Sequence, residues 1–549
     1  MRRMISAVMI FLFLPCLAHG QSDGEIEKIA AFLGVTSEEE ISNEEYERLQ
    51  DALRHPVKIN LMSKSRLVAS GLLTSYQAAS LIDYRQRFGD VLSYAELAAV
   101  DGFGQQCVEV LKPFISLDTG GQNGLSAPGT RKVYNELFLR GGYRYSTEEQ
   151  DWHYGMKYTL DVGDRLKTSL GISRNRTAKS AIPSDYSGSL SYEFKKIDAK
   201  VILGDYNARF GQGLLAWNGM IINSLTGPSN FMKKPSGVTP VRSFTGSSAN
   251  TGLASEFGMG RYVLTAAYSL SGMKVANVRR LGRLGALGLT TVYDGQWKSS
   301  FDAAYCLKGV NLFGEAVYNR NEQSSAFVAG GDCSPRETIR LASLLGWKQG
   351  NQWQFALSGN FSSLTLSSDM LYYLVQKDAQ AALSMQIKSQ LNWEWKVLEH
   401  LILKVRLSDR FRTWGLRHRT ELRMDFSSPF DKWTLDTRIH ILKSRSHAAL
   451  CYMNASYRAQ KITLHSRIGL FFVDNWDDRI YAYEYDAPGS FNVPAYYGRG
   501  VWAASVLSWK ITRFMRLYAR TSYISYPLMT IEKKKPGRAE LKLQTVFKF

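Results

Sequence analysis

The sequence predicts an α+β multidomain chain: a small all-α domain followed by a large antiparallel β-barrel of about 16 to 20 strands. Three observations predict it. Helical spacing and acidic residues dominate as far as Asp118, and from Arg131 onward apolar and polar residues alternate with a period of two. The polar side of the alternating runs carries full charges, which a strand facing hydrocarbon on its other side must turn toward an enclosed interior. Mean hydropathy is negative, and beyond the first twenty residues no stretch approaches the roughly 18 apolar residues of a membrane-spanning helix. A membrane location therefore has to come from strands, and the 29 Tyr, 26 Phe and 12 Trp suit the aromatic girdles of such a wall.

Residues 1–20 read as an export signal: Arg2 and Arg3, an apolar stretch from Ile5 to Leu17, and Ala18-His19-Gly20 as the cleavage site before Gln21. Cys16 follows Pro15, where a lipoprotein signal requires a small residue, which argues against lipidation. Residues 21–57 form an acidic helical lead-in. Ile26, Ile29, Ala30 and Leu33 make one stripe and Tyr46, Leu49 and Leu53 another, with Ser42 and Glu45 spaced as a capping box.

Residues 58–118 carry the most specific pattern. Ile59-Asn60-Leu61-Met62-Ser63 opens a helix that turns Leu67 and Val68 inward, and Gly71-Leu72-Leu73-Thr74 reverses the chain. A second helix runs from Ala78 to Phe88. The layout then repeats: Ser93 as N-cap with Glu96 three residues on, Asp101-Gly102-Phe103-Gly104 as the reversal, and a last helix from Cys107 to Ile115. This resembles the tandem helix-hairpin-helix domain of the competence DNA-receptor family. The resemblance implies that backbone N–H groups at Gly71, Gly102 and Gly104 approach a DNA phosphate, with Lys64, Arg66, Arg85, Arg87 and Lys112 nearby. Leu73 stands where the first hairpin's second glycine is expected, which weakens that contact. Six basic against five acidic residues between Lys58 and Leu117 also argue for weak non-specific binding. The bland alternative is a helical docking domain for a periplasmic protein.

Residues 119–130, four of them glycine, read as a flexible linker, and 131–549 as the barrel. Its clearest strand sets Trp414, Leu416, His418, Thr420, Leu422, Met424 and Phe426 against Arg417, Arg419, Glu421, Arg423 and Asp425. Each Arg on the lipid side would cost about 2–4 kcal/mol at the midplane. These five charged residues are therefore candidate lumen groups. Trp433–Ile441 and Leu401–Ser408 alternate in the same way. The last residues, Leu541 to Phe549, look like the closing strand of an outer-membrane barrel, with the terminal Phe549 resembling the signature read by the outer-membrane assembly machinery.

Two irregular stretches stand out. Gly204–Trp217 packs glycines around Arg209 and Gln212, and Tyr481–Ser490 is aromatic and acidic with Glu484 and Asp486. These four polar residues are candidates for a constriction or solute site, against the plainer reading of a strand bend and a solvated loop. With the helical start, they make the chain resemble a group of helix-hairpin-helix outer-membrane proteins of Bacteroidetes-type bacteria.

Charge is divided unevenly. Gln21–Asp118 holds nine basic and sixteen acidic residues; the rest, with Arg2 and Arg3 set aside, holds 57 basic and 33 acidic. Lipopolysaccharide or DNA would suit the basic part, and so would a basic lumen. Cys107, Cys306, Cys333 and Cys451 show no metal or haem spacing, and no phosphate-loop, nucleophile-elbow or zinc-protease motif occurs. The expectation is a cofactor-free, non-enzymatic outer-membrane protein exported by a cleaved signal, concerned with transport or DNA uptake, or else a sealed structural or assembly barrel.

Overall fold

The computed structural model describes residues 24–119 and 133–549, except for 147–149, 164, 175–177, 179, 195–196, 219–225, 245–248, 308, 350–351, 378–379, 399, 414–417 and 528–535 and the side chains of 373–383. The expected signal segment, most of the linker, and Trp414, Leu416 and Arg417 lie outside these residues.

Residues 24–118 form six short helices: α1 (Glu25–Leu33), α2 (Asn43–Arg54), α3 (Lys64–Ala69), α4 (Ser75–Phe88), α5 (Tyr94–Ala99) and α6 (Gly104–Leu111). Ser42, Ser63, Thr74 and Ser93 cap α2 to α5 by accepting the backbone N–H three residues on. The sequence places a helix start at Ile59 and a helix end at Ile115; the structure corrects both. Helix α3 begins at Lys64, and Ile115–Ser116 is extended and pairs in parallel with Val57–Lys58. The connecting contact is Asn60, whose amide donates to Val91 O and Leu117 O and accepts from Val91 N. One side chain thus ties the entry of the unit to its exit.

From Val133 the chain forms a closed antiparallel barrel. Strand Arg538–Lys548 pairs with Val133–Ser146 and completes the ring. Among the described residues the wall has 24 strands, which overturns the expectation of 16 to 20. The reason lies in the connections. Most are reversals of two to four residues, such as Gly260-Arg261 between Asn250–Met259 and Tyr262–Ser269. Each strand with its connection thus averages roughly 17 residues, fewer than a barrel of 16 to 20 strands over the same length would need, and the count stays even.

The wall's outer side is apolar. Leu139, Leu170, Leu203, Leu289, Leu312, Leu357, Leu407, Ile441 and Leu543 are exposed there. Rings flank them: Tyr143, Tyr145, Trp152, Tyr268 and Trp297 toward one end, and Trp395, Trp433, Trp509 and Phe549 toward the end that carries Phe549.

Two long connections at the end opposite Phe549 fold inward. Residues 474–497 form a hairpin in which Ile480–Tyr481 pairs with Ala495–Tyr496. The described residues between 210 and 249 make an excursion whose strand Gly237–Pro240 pairs alongside Tyr206–Arg209. The flanking wall strands, Ala199–Arg209 and Asn250–Met259, still pair directly from Ala199↔Phe257 to Tyr206↔Asn250. Gly204 shows why that stretch is glycine-rich. Its φ is +90°, and a Cβ there would lie 2.1 Å from Gly188 O on the neighbouring strand. Gly204→Ala is expected to destabilise the barrel by about 2–4 kcal/mol, combining a positive-φ penalty with a backbone clash. A lower temperature for loss of the compact band in detergent gels checks this; an unchanged transition would show that the strand shifts freely.

Candidate functional site

The helical unit lies inside the barrel. Its core of Ile29, Leu49, Leu67, Leu81, Leu97, Val108 and Phe114 continues onto the wall residues Val263, Leu281 and Ala286 and onto Tyr483 of the inward hairpin. Polar contacts ring the unit. On one side Asp198 accepts from Ser63 Oγ at 3.0 Å and Ser65 Oγ at 2.6 Å, and Arg66 lies 3.4 Å from Glu193 and 3.5 Å from Asp198. Lys64 donates to the carbonyls of Gly282, at 2.7 Å, and Leu281. On another side Arg242 meets Asp51 at 3.6 Å, and Arg209 pairs with Glu45, itself 2.8 Å from Arg48.

The densest contact is opposite. Arg423 reaches Glu39 at 3.0 Å, Glu38 at 3.5 Å and Asp425 at 2.6 Å, while Arg438 joins the same three carboxylates. Both guanidinium side chains are under a tenth exposed. The period-two logic explains the placement, because Arg419, Glu421, Arg423 and Asp425 share the inner face of strand His418–Phe430. They divide the work: Arg419 pairs with Glu421 and donates to Asp477 O and Arg479 O at the hairpin's root, whereas Arg423 and Asp425 face the helical unit.

The remaining residues singled out in the sequence serve the inward segments. Gly211 and Gly213, with φ of +62° and +84°, let the N–H groups of Gln212 and Leu214 converge on the buried Glu315 carboxylate at 2.7 and 2.9 Å. Gln212 Oε1 accepts from Lys233 N. Glu484 lies 2.6 Å from Arg520, and Asp486 lies 2.6 Å from Lys542. Of the basic residues near the helical hairpins, Lys64 and Arg66 are engaged with the wall and Arg85 donates to Ile59 O and Met62 O. Arg87 and Lys112 remain exposed. Gly71 lies beneath Arg48, while Gly104 has open space above it; Gly71, Gly102 and Gly104 have φ of +66°, +86° and +69°. Glu38, Glu39, Asp51 and Arg520 were not singled out by the sequence, and Glu45 was singled out only as the capping partner of Ser42, whereas its carboxylate pairs with Arg48 and Arg209. Their signal was compositional: an acidic N-terminal part and a basic remainder.

Burial would raise the Glu45 carboxyl, but Arg48 and Arg209 overcome it and hold the group at about 2. Glu39 is likewise held down, with Arg423 outweighing its burial. The sign follows directly. A carboxyl whose docked value lies below the ordinary ~4.3 contributes stability above that value and loses it as pH falls toward its docked value. These two carboxyls therefore contribute in full between pH 6 and 8, and docking is expected to weaken progressively below about pH 4 as they take up protons. Faster hydrogen exchange in residues 24–118 at pH 3 than at pH 6, after correction for intrinsic rates, checks this.

The unit fills the lumen unevenly. Beside it, against the wall between Cys306 and Arg467, runs a chamber of about 1460 Å³. The apolar side is Ile26, Phe32, Leu33 and Leu111; the wall side carries amides, hydroxyls and ion pairs. At the Phe549 end it reaches the reversals around Gly309, Thr338 and Ser362, and at its far side it meets Tyr483 and Tyr485.

No family model and no curated protein matches the chain. Among solved structures, the ferric enterobactin receptor PfeA of Pseudomonas aeruginosa aligns at 10% identity over 77% of this chain and 81% of that one, with a TM-score of 0.41. OccK3 (OpdO) of the same organism aligns at 9% identity over 76% and 96%, at 0.29. A chain of the E. coli P pilus tip assembly intermediate PapC-PapD-PapK-PapG aligns at 10% identity over 76% and 62%, at 0.46. Alignments this loose leave function to be argued from the chain's own residues.

Proposed function

We propose that the chain is an outer-membrane transport barrel whose helical unit occupies the lumen from the periplasmic end. The supporting observation is the sidedness of the wall. An apolar belt between two sets of exposed rings faces outward, and the ionised residues face an interior where the acidic unit is held by buried ion pairs. A soluble sheet protein would bury the first face and solvate the second. The position of the unit also suits a pore that is closed at rest.

Planar-bilayer recordings test the reading: the whole chain is expected to be silent, and the barrel lacking residues 24–118 to conduct. Silence from both would favour a sealed structural or assembly barrel. A second reading, duplex DNA at the Gly102–Gly104 hairpin, rests on the left-handed glycines there and on exposed Arg87 and Lys112. It is the weaker one, because Lys64, Arg66 and Arg85 are already engaged and phosphate neutralisation drives such binding. Absence of a salt-dependent gel shift with the whole chain at micromolar concentration would remove it.

A further inference from the structure

Three features of the lumen bear on how a solute would pass. First, the helical unit is fastened around much of the circumference, to Asp198, Arg209, Arg242, Arg406, Arg423 and Arg438, and its core is continuous with wall residues. Releasing it requires all of these contacts to break together. Second, the inward hairpin 474–497 is fastened on one sector. Its apolar root packs Ile480, Ala482 and Tyr496 against Leu450, Phe471 and Trp502, while its tip is held by Glu484 and Asp486 on Arg520 and Lys542 and by Gln544 donating to Pro488 O. It touches the helical unit through the polar contacts of Tyr483 N with Glu39, Tyr485 OH with Glu27 at 3.3 Å and Gly489 N with Gln50, and through Tyr483, Tyr485, Phe491 and Val493, which pack on the edge of the unit's core, so opening the hairpin means parting these apolar contacts too. Third, the chamber already bypasses the unit from the Phe549 end, and the hairpin's Tyr483 and Tyr485 stand at its far side.

The chamber's chemistry narrows the solute. Many of its charged groups are paired with one another: Asp332 with Arg340 at 2.8 Å, Glu394 with Lys404 at 3.2 Å, Glu38 with Arg423 at 3.5 Å. Two amides along it are left open, for Asn392 Nδ2 and Asn454 Oδ1 are buried and have no hydrogen-bond partner within the protein. An open donor and an open acceptor suit groups that both give and take hydrogen bonds. Its volume exceeds the 300–1,000 Å³ usual for one small ligand, so a larger molecule fits.

Resting on the transport reading above, we propose that this chamber is the solute path, that it takes uncharged, hydroxyl-rich solutes, and that the hairpin 474–497 opens it while the helical unit stays in place. The tip's ion pairs act as the catch and the apolar root as the hinge.

Liposome swelling in raffinose, a neutral trisaccharide, tests all three parts on the full-length chain with Cys107, Cys306, Cys333 and Cys451 replaced by alanine. Glu484→Cys with Arg520→Cys removes part of the catch, and swelling is expected to rise at least fivefold. A short bifunctional thiol reagent bridging the two cysteines should return it to the parent rate. The same reagent bridging Ser65→Cys and Asp198→Cys, which pins the helical unit, should leave the loosened rate unchanged. Heat-modifiable mobility verifies folding; if the first variant fails it, Asp486→Asn carries the same expectation. Swelling abolished by the Ser65–Asp198 bridge would show that the helical unit is what moves, and ion conductance without raffinose entry would remove the solute class. If the barrel lacking 24–118 conducts but no hairpin variant does, the gate proposal falls alone. If neither conducts, the transport reading falls with it.

Discussion

Glutamine at both Arg423 and Arg438 is expected to give a barrel that still assembles but holds its helical unit loosely. Each guanidinium is nearly buried, and between them they neutralise Glu38, Glu39 and Asp425. Removing one member of a buried pair costs about 3–5 kcal/mol because the remaining charge stays desolvated. Here three carboxylates would lose both cations. Part of the penalty will be relieved by proton uptake and by water entering from the adjoining chamber, so a loss of roughly 4–6 kcal/mol in docking is the reasonable magnitude. Hydrogen exchange across residues 24–118 measures it, with protection expected to fall there while the wall strands keep theirs. Reversing the signs, with Glu38 and Glu39 as Lys and Arg423 and Arg438 as Glu, should recover part of the loss. Uniform loss of protection throughout the wall would instead make these arginines part of barrel assembly.

Arg520→Gln is expected to have the second large effect, confined to the inward hairpin. Arg520 is 3% exposed and lies within ion-pair distance of Glu484, Asp486 and Glu540. Lys542 remains to serve Asp486 and Glu540, so the group most harmed is Glu484, which also accepts from Tyr496 OH and Asn492. A loss of about 3 kcal/mol follows for one stranded carboxylate. Proteolytic nicking between 484 and 491 should appear, with the closing strand pair Arg538–Lys548 and Val133–Ser146 still protected. A variant carrying Glu484→Gln as well should be milder than Arg520→Gln alone, since the stranded charge is then gone; a harsher double variant would count against this account.

These two variants also mark what was legible in the sequence. The inner face of His418–Phe430 could be read because alternation is local and a charge opposite lipid is prohibitive. Strand number could not, because it depends on the length of each reversal, and a two-residue turn such as Gly260-Arg261 leaves little trace in composition. The occupied lumen was harder still. Arg423 meets Ser37 and Glu39 across a separation of 386 and 384 residues, so no window of sequence contains both partners. Only the opposite charge of the two parts hinted at the match. The glycine cluster Gly204–Trp217 was visible as an irregularity, yet its purpose depends on Gly188 and Glu315 on other strands, which its own residues do not name.

The direct ladder between Ala199–Arg209 and Asn250–Met259 means that the hoop of hydrogen bonds is complete without the forty residues between them. That length is therefore a cassette mounted on a finished frame. Changes in its length or make-up are expected to reshape the interior while every stave of the cask keeps its neighbour.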